Sequence, residues 1–252
     1  MIISHKHKYV FIEMPHTAST AISQELCQYY DGISILHKHA HYYEFIQELG
    51  DKADRYFTFA GVRNPLDVAA TLFYKKKTNH QGFFTDPVHW RINGGHISRA
   101  ELKKYHYIQD QNASYPRYFR KYYKFSYDSW GSPSPDDFDF VIRYEQLQQD
   151  FSQILLQLNL DQVRPLPVVN KTGEKKVDFW TYYSSEIKQH TIQVFGPYMQ
   201  LWEYSFPDSW GNITISSWYV QQFRILRFLR KQVLWNDSLF ARVFNKFWNQ
   251  LR

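Results

Sequence analysis

Short apolar runs along this chain give way, across polar loops, to helical stripes, and the first such junction is the most informative. The run Tyr9-Val10-Phe11-Ile12 reads as a buried strand. It breaks at Pro15-His16-Thr17-Ala18-Ser19-Thr20 and resumes as Ile22, Leu26 and Tyr29, spaced i, i+4, i+7 on one helical face. The pattern predicts strand, loop and helix in that order. The first turn of a helix has backbone N–H groups without intrahelical partners, and its dipole adds partial positive charge, so this loop is a candidate anion site. Thr17, Ser19 and Thr20 add hydroxyls, although the same residues would equally serve as ordinary helix caps.

A second junction repeats the arrangement. Tyr56 to Val62 reads as a buried strand that ends at Arg63-Asn64-Pro65, and Pro65 suits the first turn of a helix carrying Val68, Ala69, Leu72 and Phe73. Arg63 therefore falls at the carboxyl end of a strand, where ligands bind in open α/β sheets, and its guanidinium is shaped to fork onto a phosphate. Thr71 follows eight residues later, inside the helix. A third strand, from Phe138, runs through Arg143-Tyr144-Glu145 into a helix at Leu147. Strands alternating with helices predict an α/β fold with a central, mainly parallel sheet flanked by helices.

In order and spacing, these segments resemble the sulfotransferases that use 3′-phosphoadenosine 5′-phosphosulfate (PAPS). In that family a loop Pro-Lys-(Thr/Ser)-Gly-(Ser/Thr)-Thr cradles the 5′-phosphosulfate, and Arg-(Asp/Asn)-Pro, with Ser eight residues after the Arg, grips the 3′-phosphate. The Tyr of a Tyr-Glu-(Asp/Asn)-Leu strand end lies by the adenine. Pro15 to Thr20, Arg63 to Thr71 and Tyr144 to Leu147 are similar to these three, and Asn170-Lys171-Thr172 and Tyr204-Ser205-Phe206-Pro207 to later landmarks; the resemblance spans roughly residues 8 to 210. It implies a three-layer, P-loop NTPase-like α/β domain using PAPS, with 3′-phosphoadenosine 5′-phosphate (PAP) as product and no metal. It places His16, Thr17, Ala18, Ser19, Thr20 and Ala21 at the phosphosulfate, with His16 near the bridging oxygen. Arg63 and Thr71 go to the 3′-phosphate, Tyr144 goes to the adenine, and the basic loop with Lys171, Thr172 and Lys175 closes over the 3′-phosphate. As isolated residues, those lysines would equally form a solvated turn.

Two positions depart from the family pattern. The loop Lys is His16 and the loop Gly is Ala18. An imidazolium can donate to the departing phosphate only while protonated, and an ordinary imidazole titrates near ~6.5. Ala18 is a mild change as long as the position does not require positive φ.

The cluster His37-Lys38-His39-Ala40-His41 follows an expected short strand, Ile33 to Leu36, and opens a helix at the same sheet edge as the loop. Sulfuryl transfer to a hydroxyl needs a group that takes the acceptor's proton, and His suits this near neutral pH. His39 matches a Lys-His-(Ala/Ser) landmark of carbohydrate-type members and is placed first as base, with His41 second and Glu44 in reserve. The alternative is that the histidines merely alternate faces of an extended segment or take up adventitious metal.

At 252 residues, 44% hydrophobic and 19% aromatic, the chain is long enough for one large domain with a full core, expected over residues 1–215. One cysteine, Cys27, allows no internal disulfide and points to a reducing compartment. Neither a signal-peptide core nor an apolar run of ~20 residues is found, so a cytoplasmic enzyme is expected. Residues 75–137 are expected to form the acceptor-binding insertion, where Trp90, Tyr118, Tyr122, Tyr123 and Trp130 either stack on sugar or ring faces or pack under a long loop. The acceptor class, whether sugar, lipid-linked glycan or small metabolite, is not legible.

The net charge of +6 resides in the tail: from Arg224 to Arg252 there are seven basic residues and one acidic residue, while the preceding residues balance. The main domain is therefore not expected to bind nucleic acid. Residues 216–252 form an expected basic helical tail, with Asn236-Asp237-Ser238 capping a stripe of Leu239, Phe240, Val243, Phe244, Phe247, Trp248 and Leu251. Such a helix suits peripheral contact with a membrane surface, or packing on its own domain or a second copy, through 218–252. Two other functions fit parts of the pattern. A catalytically silent nucleotide-binding protein at a membrane would explain His16, while a P-loop-like kinase is disfavoured because Gly-x-x-x-x-Gly-Lys-(Ser/Thr) does not occur.

Overall fold

The computed structural model describes residues 1–88, 97–128, 137–167 and 178–235. The chain divides into two compact units, Met1–Asn64 with Ser129–Gly173, and Pro65–Asp128 with Glu174–Arg252. Its strands are β1 (Ile2–Ser4), β2 (Tyr9–Ile12), β3 (Ile33–Ser34), β4 (Phe57–Val62) and β5 (Phe140–Arg143). Its helices are α1 (Ser19–Tyr29), α2 (Tyr42–Leu49), α3 (Pro65–Lys77), α4 (Arg99–Asp110), α5 (Tyr115–Tyr122), α6 (Leu147–Gln157), α7 (Ser185–Leu201) and α8 (Ser217–Trp235).

The five strands found among the described residues belong to the first unit and form one sheet in the order β3-β1-β2-β4-β5. β2, β4 and β5 are parallel, whereas β1 pairs antiparallel with both β2 and β3. The sheet is thus mixed, and the expected mainly parallel arrangement holds only for its β2-β4-β5 half. The reason is the connection: Ser4 lies opposite Tyr9, so only His5 to Lys8 join β1 to β2, and so short a link can join only antiparallel neighbours.

Strand periodicity makes the layers. Tyr9, Phe11, Phe59 and Ile142 pack on one face against Ile22 and Leu26 of α1 and Phe151, Ile154 and Leu155 of α6. Val10, Ile12 and Ala60 pack on the other face with Phe45 of α2. Because helices cover both faces, every residue of β2 is buried and the strand reads as a continuous apolar run.

The second unit has an aromatic core. Phe73, Tyr115, Tyr118, Phe119, Tyr183 and Phe195 cluster with Leu66 and Ile187. Two of its buried hydroxyls are satisfied in series, Tyr115 Oη donating to Tyr183 Oη at 2.6 Å and Tyr183 Oη to the Leu66 carbonyl at 2.8 Å. Tyr118 belongs to this core, with Tyr122 and Tyr123 packed against it, so of the two readings of these residues packing is the one found. Trp90 and Trp130 lie outside the described residues, as do Lys171, Thr172 and Lys175. α8 is tied down by a buried pair, Arg230 Nε to Asp128 Oδ2 at 2.8 Å, and by Ser126, which bonds the Tyr219 carbonyl and the Gln222 side chain. Trp218, Ile225 and Phe228 of α8 remain exposed. The helix expected after Asn236 falls outside the described residues. Among the described residues no helix is long and apolar enough to cross a membrane.

Candidate active site

β2 delivers the chain into the loop at Glu13-Met14-Pro15. His16 and Ala18 both take left-handed conformations, φ 66° and 61°, on either side of Thr17. This alternation of backbone handedness turns successive N–H groups toward one concave side, the geometry of an anion-binding nest. The N–H groups of Thr17, Ala18, Ser19 and Thr20 have no partner among the described residues. Ala21 differs. Its N–H donates to the Ala18 carbonyl at 3.0 Å to close the first turn of α1, so it offers an anion neither an N–H nor a polar side chain.

Thr17 also departs from its expected role as a hydroxyl donor. It is buried, and its Oγ1 donates to the Met14 carbonyl at 2.9 Å, which staples the loop. The staple rests on Gly61 of β4, where an added Cβ would lie 2.7 Å from both Thr17 Cβ and Oγ1. Gly61 was not singled out in the sequence; the signal for it is a glycine interrupting a strand of large residues.

Ala18 does need positive φ, so the family's glycine would be the less strained residue here. Ala18→Gly is expected to stabilise the protein by about 0.5–1 kcal/mol, read as a rise of a few degrees in Tm. An unchanged or lower Tm would show that the loop carries no such strain.

Arg63 leaves the end of β4 toward the same loop. Its Nη1 donates to the His16 carbonyl at 3.2 Å, and its guanidinium carbon sits 4.1 Å from the centroid of the Tyr144 ring, a cation–π contact. Carboxylates clamp the two strand ends: Glu145 Oε1 accepts the Asn64 N–H at 2.8 Å, and Asp150 Oδ2 accepts the Arg143 N–H at 2.6 Å. Glu145 therefore positions the Arg63-Asn64 turn, a role that sequence reasoning missed. Thr71 lies in α3, in the second unit, buried, with its Oγ1 3.4 Å from Asp67 Oδ1.

The histidine cluster is neither strand nor helix. β3 stops at Ser34 instead of Leu36 and α2 starts only at Tyr42, leaving a connection in which Leu36 and His39 are left-handed, φ 53° and 68°. His39 Nδ1 lies 2.7 Å from the Glu13 carbonyl. A carbonyl can only accept, so Nδ1 carries the proton and Nε2 of the neutral ring has a free lone pair, the tautomer that a general base needs. His37 has an acceptor at each ring nitrogen, the Lys38 carbonyl at 3.0 Å and Glu44 Oε2 at 2.9 Å. Its pKa is held above the ordinary imidazole value, first by the Lys38 carbonyl and also by Glu44, against the opposing effect of desolvation. Glu44, the reserve base, has both oxygens engaged, because Oε1 takes the His41 N–H at 2.7 Å. His41 caps α2, with its ring stacked on Tyr43. Between these histidines Lys38 reaches back to the loop, its Nζ donating to Thr20 Oγ1 at 3.0 Å.

The sequence matches the model of the Sulfotransferase family over residues 1–200. The chain is a member of the sulfotransferase family. No curated protein and no solved structure matches it significantly. Within the first unit of this sulfotransferase, contacts join some of the expected residues. His39 is tied to the strand leading into the loop, Lys38 to Thr20, and Arg63 to both His16 and Tyr144.

Proposed function

We propose that this sulfotransferase moves the sulfuryl group of PAPS to a hydroxyl or amine of a sugar, lipid-linked glycan or small metabolite, leaving PAP. The observation that carries this reading is the run of N–H groups from Thr17 to Thr20, without partners among the described residues, with left-handed His16 and Ala18 at its start and the hydroxyls of Ser19 and Thr20 at its end. Such a concave set of donors at a helix N-terminus fits a phosphosulfate. When bound, the donor supplies an activated sulfuryl group. The loop holds and orients it, with His16 at its rim. Arg63 and Thr71 are assigned to the 3′-phosphate, with Lys171, Thr172 and Lys175 closing over it, and Tyr144 takes the adenine. His39 Nε2 receives the acceptor's proton, with His41 as the second choice. Calorimetric titration with PAP and with ATP tests the reading: selective binding of PAP is expected, and preference for ATP or failure to bind PAP would overturn it. Turnover separates the enzyme from a silent nucleotide-binding protein.

α8 supports a proposal for the tail. It has no acidic residue, and exposed Arg224 and Lys231 flank exposed Trp218, Ile225 and Phe228, a pairing suited to an anionic membrane surface. The protein is expected to co-sediment with vesicles containing phosphatidylserine but not with neutral ones, and Trp218→Ser/Phe228→Ser is expected to abolish this. Concentration-dependent dimerisation without vesicle binding would instead identify a second copy as the partner.

A further inference from the structure

We infer that Lys38 supplies the cationic charge that the phosphosulfate loop lacks at position 16, binding the donor's 5′-phosphate side together with Thr20. The inference rests on the nucleotide reading above and adds to it a residue outside the loop that carries out the charge-stabilising task.

Contact geometry comes first. The Lys38 ammonium donates one N–H to Thr20 Oγ1 at 3.0 Å. A hydroxyl that accepts in this way keeps its own proton to donate onward, so Lys38 orients Thr20 as a donor. An anion oxygen bonded to Thr20 Oγ1 then lies within about 6 Å of Nζ, and the ammonium has two further N–H groups to offer it.

The backbone around Lys38 supplies a second, independent observation. Leu36 and His39 are non-glycine residues held at positive φ, a conformation that persists only where the surroundings impose it. Those surroundings are visible on both sides of Lys38, in the bonds from His37 to Glu44 and from His39 to the Glu13 carbonyl. A strained, doubly anchored segment thus presents one lysine to the loop. Lys38 is itself exposed, and its bond to Thr20 is what directs the ammonium at the loop.

Charge chemistry explains the need. An imidazole loses its charge near ~6.5, whereas a lysine stays cationic to ~10. His16 is exposed and stands where the family pattern has a lysine. During transfer, Lys38 offsets the negative charge on the phosphate oxygen, which retains the electron pair as its bond to sulfur breaks. The acceptor's bond to sulfur forms in the same step, and the acceptor's proton passes to His39 Nε2. No proton leaves Lys38.

The test measures PAP affinity by calorimetry from pH 6 to 9 for wild type, Lys38→Ala, Lys38→Arg and His16→Lys/Lys38→Ala, with turnover of PAPS alongside. Lys38→Ala is expected to bind PAP about tenfold more weakly at pH 8, with a further decline above pH ~7 that wild type does not show, because His16 is then the cation left at the loop. Lys38→Arg keeps wild-type affinity. The double variant recovers affinity and turnover, which also shows that the loss in Lys38→Ala was one of charge and not of folding. Wild-type affinity in Lys38→Ala, or no recovery in the double variant, overturns the inference. Failure of the wild type itself to bind PAP overturns the nucleotide reading, and the role of Lys38 falls with it.

Discussion

His39→Asn is expected to lower turnover by roughly 10²–10⁴-fold, the scale of a lost general base, while PAP affinity stays within about twofold of wild type. Asparagine is the informative replacement. Position 39 sits at φ 68°, which asparagine tolerates better than most residues, and its amide can still donate to the Glu13 carbonyl as Nδ1 does at 2.7 Å. The variant therefore preserves the connection that carries Lys38 and removes only the basic nitrogen. On the proposed reading, nucleotide affinity comes from the loop, Lys38 and Arg63, which the substitution leaves in place. Added imidazole should recover part of the rate, an outcome that a merely structural histidine would not give. Retained turnover in His39→Asn would remove His39 as base and pass the assignment to His41.

Arg63→Ala is expected to weaken PAP binding by more than tenfold. Loss of a charge-assisted fork on a phosphate costs on the order of 1.5–3 kcal/mol, and the variant also loses the bond to the His16 carbonyl and the stacking on Tyr144. Arg63→Lys should recover little, because an ammonium lacks the planar fork and stacks less well on an aromatic ring. Adenosine 5′-phosphate isolates the direct role. It lacks the 3′-phosphate, so the difference between wild type and Arg63→Ala should shrink with it. An unchanged dissociation constant for PAP would exclude Arg63 from the site, and an equal loss with both nucleotides would mean that Arg63 acts only by bracing the loop.

The sequence alone determined the elements whose signals are local. The Tyr9 to Ile12 strand and the helix start at Pro65 both appear in the structure at those positions. Apolar runs, a proline at the first helical turn and side-chain periodicity act within a few residues, so they can be read without a fold. The loop and Arg63 were legible for the same reason, as strand ends followed by helix starts.

Tertiary structure decided which groups meet and what state they are in. Lys75, Lys76 and Lys77 read alike in sequence, yet Lys76 is buried with its Nζ 2.7 Å from Glu101, which only the packing of α3 against α4 arranges. Burial lowers the pKa of Lys76, an effect that the Glu101 charge opposes. The same holds at the site: His39 meets Glu13 26 positions away, Arg63 meets His16 47 away, and Asn64 meets Glu145 81 away. The reach of Lys38 to Thr20 spans 18 positions in the same way, whereas the Thr17 hydroxyl is diverted to Met14 only three residues back. A side chain's type fixes what it can donate or accept, but its partner is set by the fold, and that is why the loop was visible in the sequence while the lysine that completes its charge was not.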